Sequence, residues 1–172
     1  MYSCTFVPKP TKEELRLLDN PPATLRTELK LLVPMAIKWY DEVERKYYSQ
    51  GRILTYTEKI RAKDIGIQNV NRLRIVILNE LPMPDTILLR KKAEKYGLGN
   101  SYEGARTMGN IIFIKPRYKD NSTIISHELV HIYQQEVLGR KAFIERYIIE
   151  MEIMGYLRSP LELEAYKNQG EI

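Results

Sequence analysis

Cysteine and histidine are almost missing from this 172-residue chain, which has one of the first, Cys4, and two of the second, His127 and His131. A single cysteine excludes an intramolecular disulfide and a thiolate metal cluster built within one chain. It is compatible with a reducing compartment. Long apolar runs are missing as well. The best candidate, "LLVPMAI", is interrupted by proline and falls far short of the ~20 residues that span a bilayer. The N-terminus, "MYSCTFVPKPTKEELR", has neither a basic n-region nor an apolar h-region. No signal peptide is therefore expected, and the chain is placed in the cytoplasm or carried in a particle. Neither sign of charge dominates: 27 Lys and Arg against 22 Asp and Glu give +5, with the signs interspersed, so a solvated surface is expected. "KIRAKD" and "RLRIVI" are basic but accompany no nucleic-acid-binding motif, and no nucleic-acid partner is expected.

The length suits one domain with a substantial core. Thr11 with Glu14 three residues on has the pattern of a capping box opening a short helix, and "DNPPA" breaks the chain after it. From Thr24 to Ser49, Leu25, Leu29, Leu32, Ala36, Trp39, Val43 and Tyr47 form one stripe at helical spacing. Such a stripe is read as burial on the domain's own core rather than as a membrane or partner helix. Pro34 inside it predicts a kink or a division. Residues 72–78 are aliphatic and β-branched enough for a buried strand. "TILLRKKAEKYGLG" predicts a helix closed by glycine, "NSYEGARTMGN" a loop, and "IIFIK" a short strand ended by Pro116. Helical pattern then runs from Ser122 to the C-terminus, punctuated by Gly139, Gly155 and Ser159–Pro160. Strands in the middle with helices on either side predict an α+β fold.

Both histidines fall in "IISHELVHIYQQ", four residues apart with Glu128 between them. Positions i and i+4 share a helix face, so His127 and His131 can present two imidazoles to one ion. Zn²⁺ suits imidazole, and a catalytic zinc takes three protein ligands and a water. Glu128, beside the first ligand, is placed to receive a proton from that water. Apolar Ile124, Ile125, Leu129, Val130 and Ile132 predict a largely buried helix, in which two unpartnered histidines would be costly. With no third histidine and no usable cysteine, a third zinc ligand must be a carboxylate. Of Glu136, Glu145, Glu150, Glu152, Glu162 and Glu164 downstream, the last two lie in "SPLELEAY", which begins a new helix that can fold back across the motif and is the best place to look. Glu162 also completes a capping box with Ser159 and Pro160, so residue chemistry leaves both open. Gln135, one turn beyond His131, and the adjacent Gln134 could orient a ligand or a bound peptide. "NIIFIKP", preceding the motif helix, could form the cleft edge on which an extended peptide pairs. Tyr147, Tyr156 and Tyr166 are candidate donors to a tetrahedral intermediate.

"HELVHIYQQ", "GRKAFIERYIIEMEIMGY" and "SPLELEAY" together resemble the gluzincin pattern of bacterial HExxH proteins related to the zincin-like domains associated with contractile injection systems. That family reads HELxH followed by one or two glutamines, then P-x-E-x-E-A. "GARTMGNIIFI" and "LRIVILNELPMP" resemble its T-x-G segment and its upstream strand and proline turn. The resemblance covers roughly residues 50 to 168. It implies a zincin-like domain over residues 51–172, with a short central sheet, an active-site helix and flanking helices, and leaves residues 1–50 as a helical segment packed on it. It implies a zinc metallopeptidase acting on a peptide or protein, or else a catalytically silent zincin-like module of a phage or injection-type particle. The first glutamate of E-x-E-A-D is the family's ligand, which maps to Glu162, with Glu164 the alternative. Tyr166 stands where an aspartate commonly supports a motif histidine, so that support is expected from elsewhere.

Overall fold

The computed structural model describes residues 8–170; Cys4 lies outside the described residues. Helix α1 (Lys12–Asp19) starts as its capping residues dictate, with Thr11 Oγ1 accepting the Glu14 N–H at 3.2 Å and the Glu14 carboxylate accepting the Thr11 N–H at 2.8 Å. Helix α2 (Ala23–Tyr47) runs unbroken for 25 residues, so Pro34 does not divide it. Pro34 and Lys30 are both exposed, and the Lys30 carbonyl that loses its N–H partner can bond water instead. Leu25, Leu29, Leu32, Ala36 and Val43 of the stripe are buried, and Trp39 packs beside them.

Strand β1 (Arg52–Ile53) is followed by α3 (Tyr56–Ile65), which opens on a second capping box, Thr55 with Glu58. Next come β2 (Arg74–Ile77), α4 (Ile87–Lys95), β3 (Ala105–Met108) and β4 (Ile111–Ile114). The sheet order is β1-β2-β4-β3, with β2 parallel to β4 and the other pairs antiparallel. Among the described residues, a small four-stranded sheet and seven α-helices are consistent with the α+β class.

Two expectations change here. The "NSYEGARTMGN" stretch is not all loop, because Ala105–Met108 form β3. Met108 pairs with Ile111 across the two-residue turn Gly109–Asn110, where Gly109 has φ 62°. That turn suits the twist of a hairpin, and glycine supplies the positive φ. Consequently "NIIFIKP" is not the cleft edge: β4 lies between β2 and β3, and β3 is the edge strand.

Both sheet faces are covered. Ile75, Ile112 and Ile114 face α3 and α5 (Ser122–Leu138), while Val76, Ile111 and Phe113 face Val43 and Tyr47 of α2. This explains the unbroken apolar run of β4, all four residues of which are buried. Gly104 and Lys115 are bonded (Lys115 N–H to Gly104 C=O, 2.9 Å) in the same register as Met108 and Ile111. Residues 104, 106 and 108 therefore pair with β4, and the N–H and C=O of Ala105 and Thr107 point outward. Among the described residues no helix is long and apolar enough to cross a membrane.

After α5, Gly139 turns the chain into α6 (Arg140–Ile153), and Ser159–Pro160 open α7 (Pro160–Asn168). The start of α7 is fixed by Glu150, which is fully buried. Its carboxylate accepts from the Ser159 hydroxyl at 2.6 Å, the Leu161 N–H at 3.0 Å and Arg146 Nε at 2.6 Å. Glu150→Ala leaves two buried donors unpartnered and is expected to lower unfolding free energy by about 3 kcal/mol. Urea denaturation measures this, and a loss below ~1 kcal/mol would show that α7 is anchored by its apolar face alone.

Candidate metal centre

The motif helix α5 begins at Asn121, whose side chain accepts the Ile124 N–H at 2.9 Å. It is buried on nearly every side from Ile125 to Ile132 because α3, α6, α7 and β3 surround it. On one face His127 and His131 bring their Nε2 atoms to 3.2 Å. The carboxylate of Glu162, from α7, meets both: Oε2 lies 3.2 Å from His127 Nε2 and Oε1 lies 3.5 Å from His131 Nε2. All three residues are buried. Glu162 N–H bonds Ser159 Oγ at 3.2 Å, so Ser159 caps the helix, but the Glu162 carboxylate is directed at the histidines instead of back to the cap.

Glu164 is exposed and accepts from Gln134 Nε2 at 2.9 Å. Gln134 Nε2 also donates to the Leu161 carbonyl at 2.9 Å, which leaves Gln134 Oε1 facing His131 Nδ1 at 2.8 Å. An amide held this way requires the proton on Nδ1 and leaves the Nε2 lone pair free. Gln169 Oε1 lies 3.1 Å from His127 Nδ1. The orienting glutamine is thus Gln134. Gln135 is buried elsewhere, donating weakly to the His131 carbonyl at 3.4 Å, with its own oxygen unpartnered. Tyr147 donates to Glu162 Oε1 at 3.0 Å. Tyr166 lays its ring against His127, centroids 4.7 Å apart, and its hydroxyl meets that of Tyr156 at 3.3 Å.

Two imidazole lone pairs and a carboxylate aimed at one buried point repel one another unless a cation sits among them. Ligand atoms ~2.0–2.1 Å from a tetrahedral zinc lie roughly 3.3 Å apart, close to the separations above. His127, His131 and Glu162 fit that ion in type, number and spacing. Glu128 follows His127, lines the same cavity and is held by Thr107 of β3, whose hydroxyl donates to Oε2 at 2.7 Å. The cavity measures about 530 Å³, and His127, Glu128, His131 and Glu162 all line it. A larger open groove of about 1090 Å³ between α1, α2 and α6 contains none of them.

No protein-family model, curated protein or solved structure matches the chain.

Gln169 is absent from the sequence reading, and Thr107 enters it only as the threonine of the T-x-G segment, with no role attached; its contact with Glu128 comes from the packing of β3 on α5. Gln169 carried a signal, seven residues after Glu162 and so two turns along one face.

With no ion bound, burial lowers the His131 pKa, but the charge of Glu162 outweighs it and the net effect is a rise from 6.5 to about 9. Glu162 shifts the other way: burial raises its pKa, yet the two imidazoles hold it far below 4.5. The stabilisation from His131 is complete below pH 6.5 and is lost as pH rises through about 9, while that from Glu162 is present above 4.5 and lost in strong acid. Metal-free protein should draw most from this pair between pH 4.5 and 6.5. Zinc must displace the proton, so its affinity should rise about tenfold per pH unit and level off near 9. Competition titrations with a chelator at several pH values measure this; a flat profile would rule out a protonated His131. In the same assay Glu162→Ala should abolish the site and Glu164→Ala should leave about one zinc per chain.

Proposed function

We propose that this protein is a zinc-dependent peptidase of the gluzincin type, hydrolysing internal bonds of an extended peptide. The reading rests on one observation: a buried His–His–Glu acceptor set and a separate carboxylate, Glu128, share the wall of one cavity. A zinc ion held by His127, His131 and Glu162 would polarise a substrate carbonyl and acidify a water. Glu128 then takes the proton and returns it to the leaving amine. Thr107 holds one oxygen of Glu128. Tyr147 fixes Glu162, Gln134 fixes the His131 tautomer, and Gln169 meets His127 Nδ1.

The outward N–H and C=O of Ala105 and Thr107 suit an extended chain laid along β3. Among the described residues the only lysine or arginine lining the cavity is Arg106. It is engaged by Glu103, with Nε–Oε1 at 2.7 Å and Nη2–Oε2 at 2.8 Å, and by the Pro82 carbonyl at 2.5 Å. A substrate C-terminal carboxylate would find no free cation there, which argues against trimming from the C-terminal end.

Glu128→Gln keeps the shape of the side chain and removes the base. It should bind zinc normally and lose at least ~100-fold in turnover of quenched, end-blocked peptides. Unchanged turnover would remove Glu128 from the mechanism.

A further inference from the structure

Ser126 and Arg61 take no part in the zinc chemistry described above, yet they meet directly beside it. Ser126 stands one residue before His127 on α5 and is fully buried. Its Oγ accepts from two donors that come from distant parts of the chain: Arg61 Nε of α3 at 2.8 Å, and the Gly170 N–H, just beyond α7, at 3.2 Å. The Arg61 guanidinium also donates through Nη2 to the Asn168 carbonyl. One hydroxyl and one guanidinium thus join α3, α5 and the end of α7.

These bonds enclose Gln169. The peptide groups on either side of its Cα are both held, the Asn168 carbonyl by Arg61 and the Gly170 N–H by Ser126. Its own N–H closes the last turn of α7 on the Ala165 carbonyl at 2.8 Å. With both flanking peptide planes pinned, the two soft dihedrals of Gln169 are set, at φ −67° and ψ 113°, and with them the direction of its side chain. That side chain brings Oε1 to 3.1 Å from His127 Nδ1. Arginine suits the clasp because its Nε and Nη2 form a fixed planar fork that can serve two acceptors, whereas lysine offers a point charge on a flexible stem. Glycine suits the neighbouring position, since a Cβ on Gly170 would lie 3.2 Å from Arg61 Nη2.

We infer that Arg61 is a positioning residue for the metal centre: through Asn168 and Ser126 it holds Gln169 against the His127 imidazole, an inference that rests on the zinc site of the peptidase reading above. Arg61 does not line the cavity, so its effect on zinc passes through the residues it holds. The helix that carries it is itself anchored. Glu58, one turn earlier on α3, pairs with Arg52 of β1 at 2.7 Å and completes the capping box with Thr55. The ring of one zinc ligand is therefore referred, through α3, to the edge of the sheet. Partners on the far nitrogen of a ligating histidine contribute roughly 10- to 100-fold to metal affinity.

The test is a double-mutant cycle on zinc affinity, read by chelator competition with Arg61→Ala, Gln169→Ala and the two combined. Each single variant should bind zinc roughly 10-fold more weakly. The combined variant should be no weaker than either, because both changes remove the same support. Unchanged affinity in either single variant would overturn the assignment while leaving the zinc site standing. Losses that multiply would overturn it too, since a residue that merely steadies the fold would still weaken zinc in the Gln169→Ala background. Should Arg61→Ala fail to fold, Arg61→Lys, which keeps the charge and loses the fork, is held to the same outcomes. A parent chain that binds no zinc would overturn this inference and the peptidase reading together.

Discussion

The meeting of the α7 carboxylate with two α5 imidazoles is the contact on which the surrounding structure depends. His127 and His131 share a face by helix geometry alone, but Glu162 reaches them only if α6 and its turn return the chain at the right height. Three acceptors in one buried place repel each other unless a metal ion or a proton lies among them. The neighbouring bonds serve that arrangement. Glu150 and Ser159 set the first turn of α7, Tyr147 restrains the Glu162 carboxylate, and Gln134 ties the His131 ring to the Leu161 carbonyl of the same helix that carries Glu162. Ligand and support are thus joined through one side chain, so a slip of α7 along α5 would disturb both together.

The sheet contributes through its edge. β4 is covered on both faces and paired on both sides, so it can only be scaffold. Next to it, β3 turns Thr107 toward α5 and Arg106 toward α2, the alternation that any strand imposes. One four-residue strand therefore restrains Glu128 from one face and borders α2 on the other.

Much of this was legible in the residues. The capping pattern at Thr11, the breaks at Gly139 and Ser159–Pro160, the β-branched run before Leu78 and the aliphatic run before Pro116 mark their elements because each rests on local chemistry. The strand at Ala105–Met108 was missed although Gly109–Asn110 is itself a hairpin signal; glycines and asparagines on either side suggest loop equally well. The choice between Glu162 and Glu164 was not local. Ser159-x-x-Glu162 predicts a carboxylate folded back on its cap, and only the packing of α7 on α5 turns it toward the imidazoles. Gln134 and Gln135 differ by ~100° around the helix, and Leu161, 27 residues downstream of Gln134, settles which of them supports His131.

Tyr166 raises the question of what replaces the aspartate that the family resemblance would put there. The acceptor for His127 Nδ1 moves one turn on, to Gln169, and His131 uses Gln134, so both rings rest on neutral amides. A carboxylate partner would make an imidazole a stronger donor to the metal and would add negative charge close to the site. Amides fix the same tautomer without that charge. In the proposed reading a dication with one carboxylate ligand then keeps more of its field for a carbonyl oxygen in the cleft. The Tyr166 ring lies against His127 and covers that side of the imidazole with apolar surface. In that reading the two amides would keep the rings oriented while leaving the ion more electrophilic than an acid partner would.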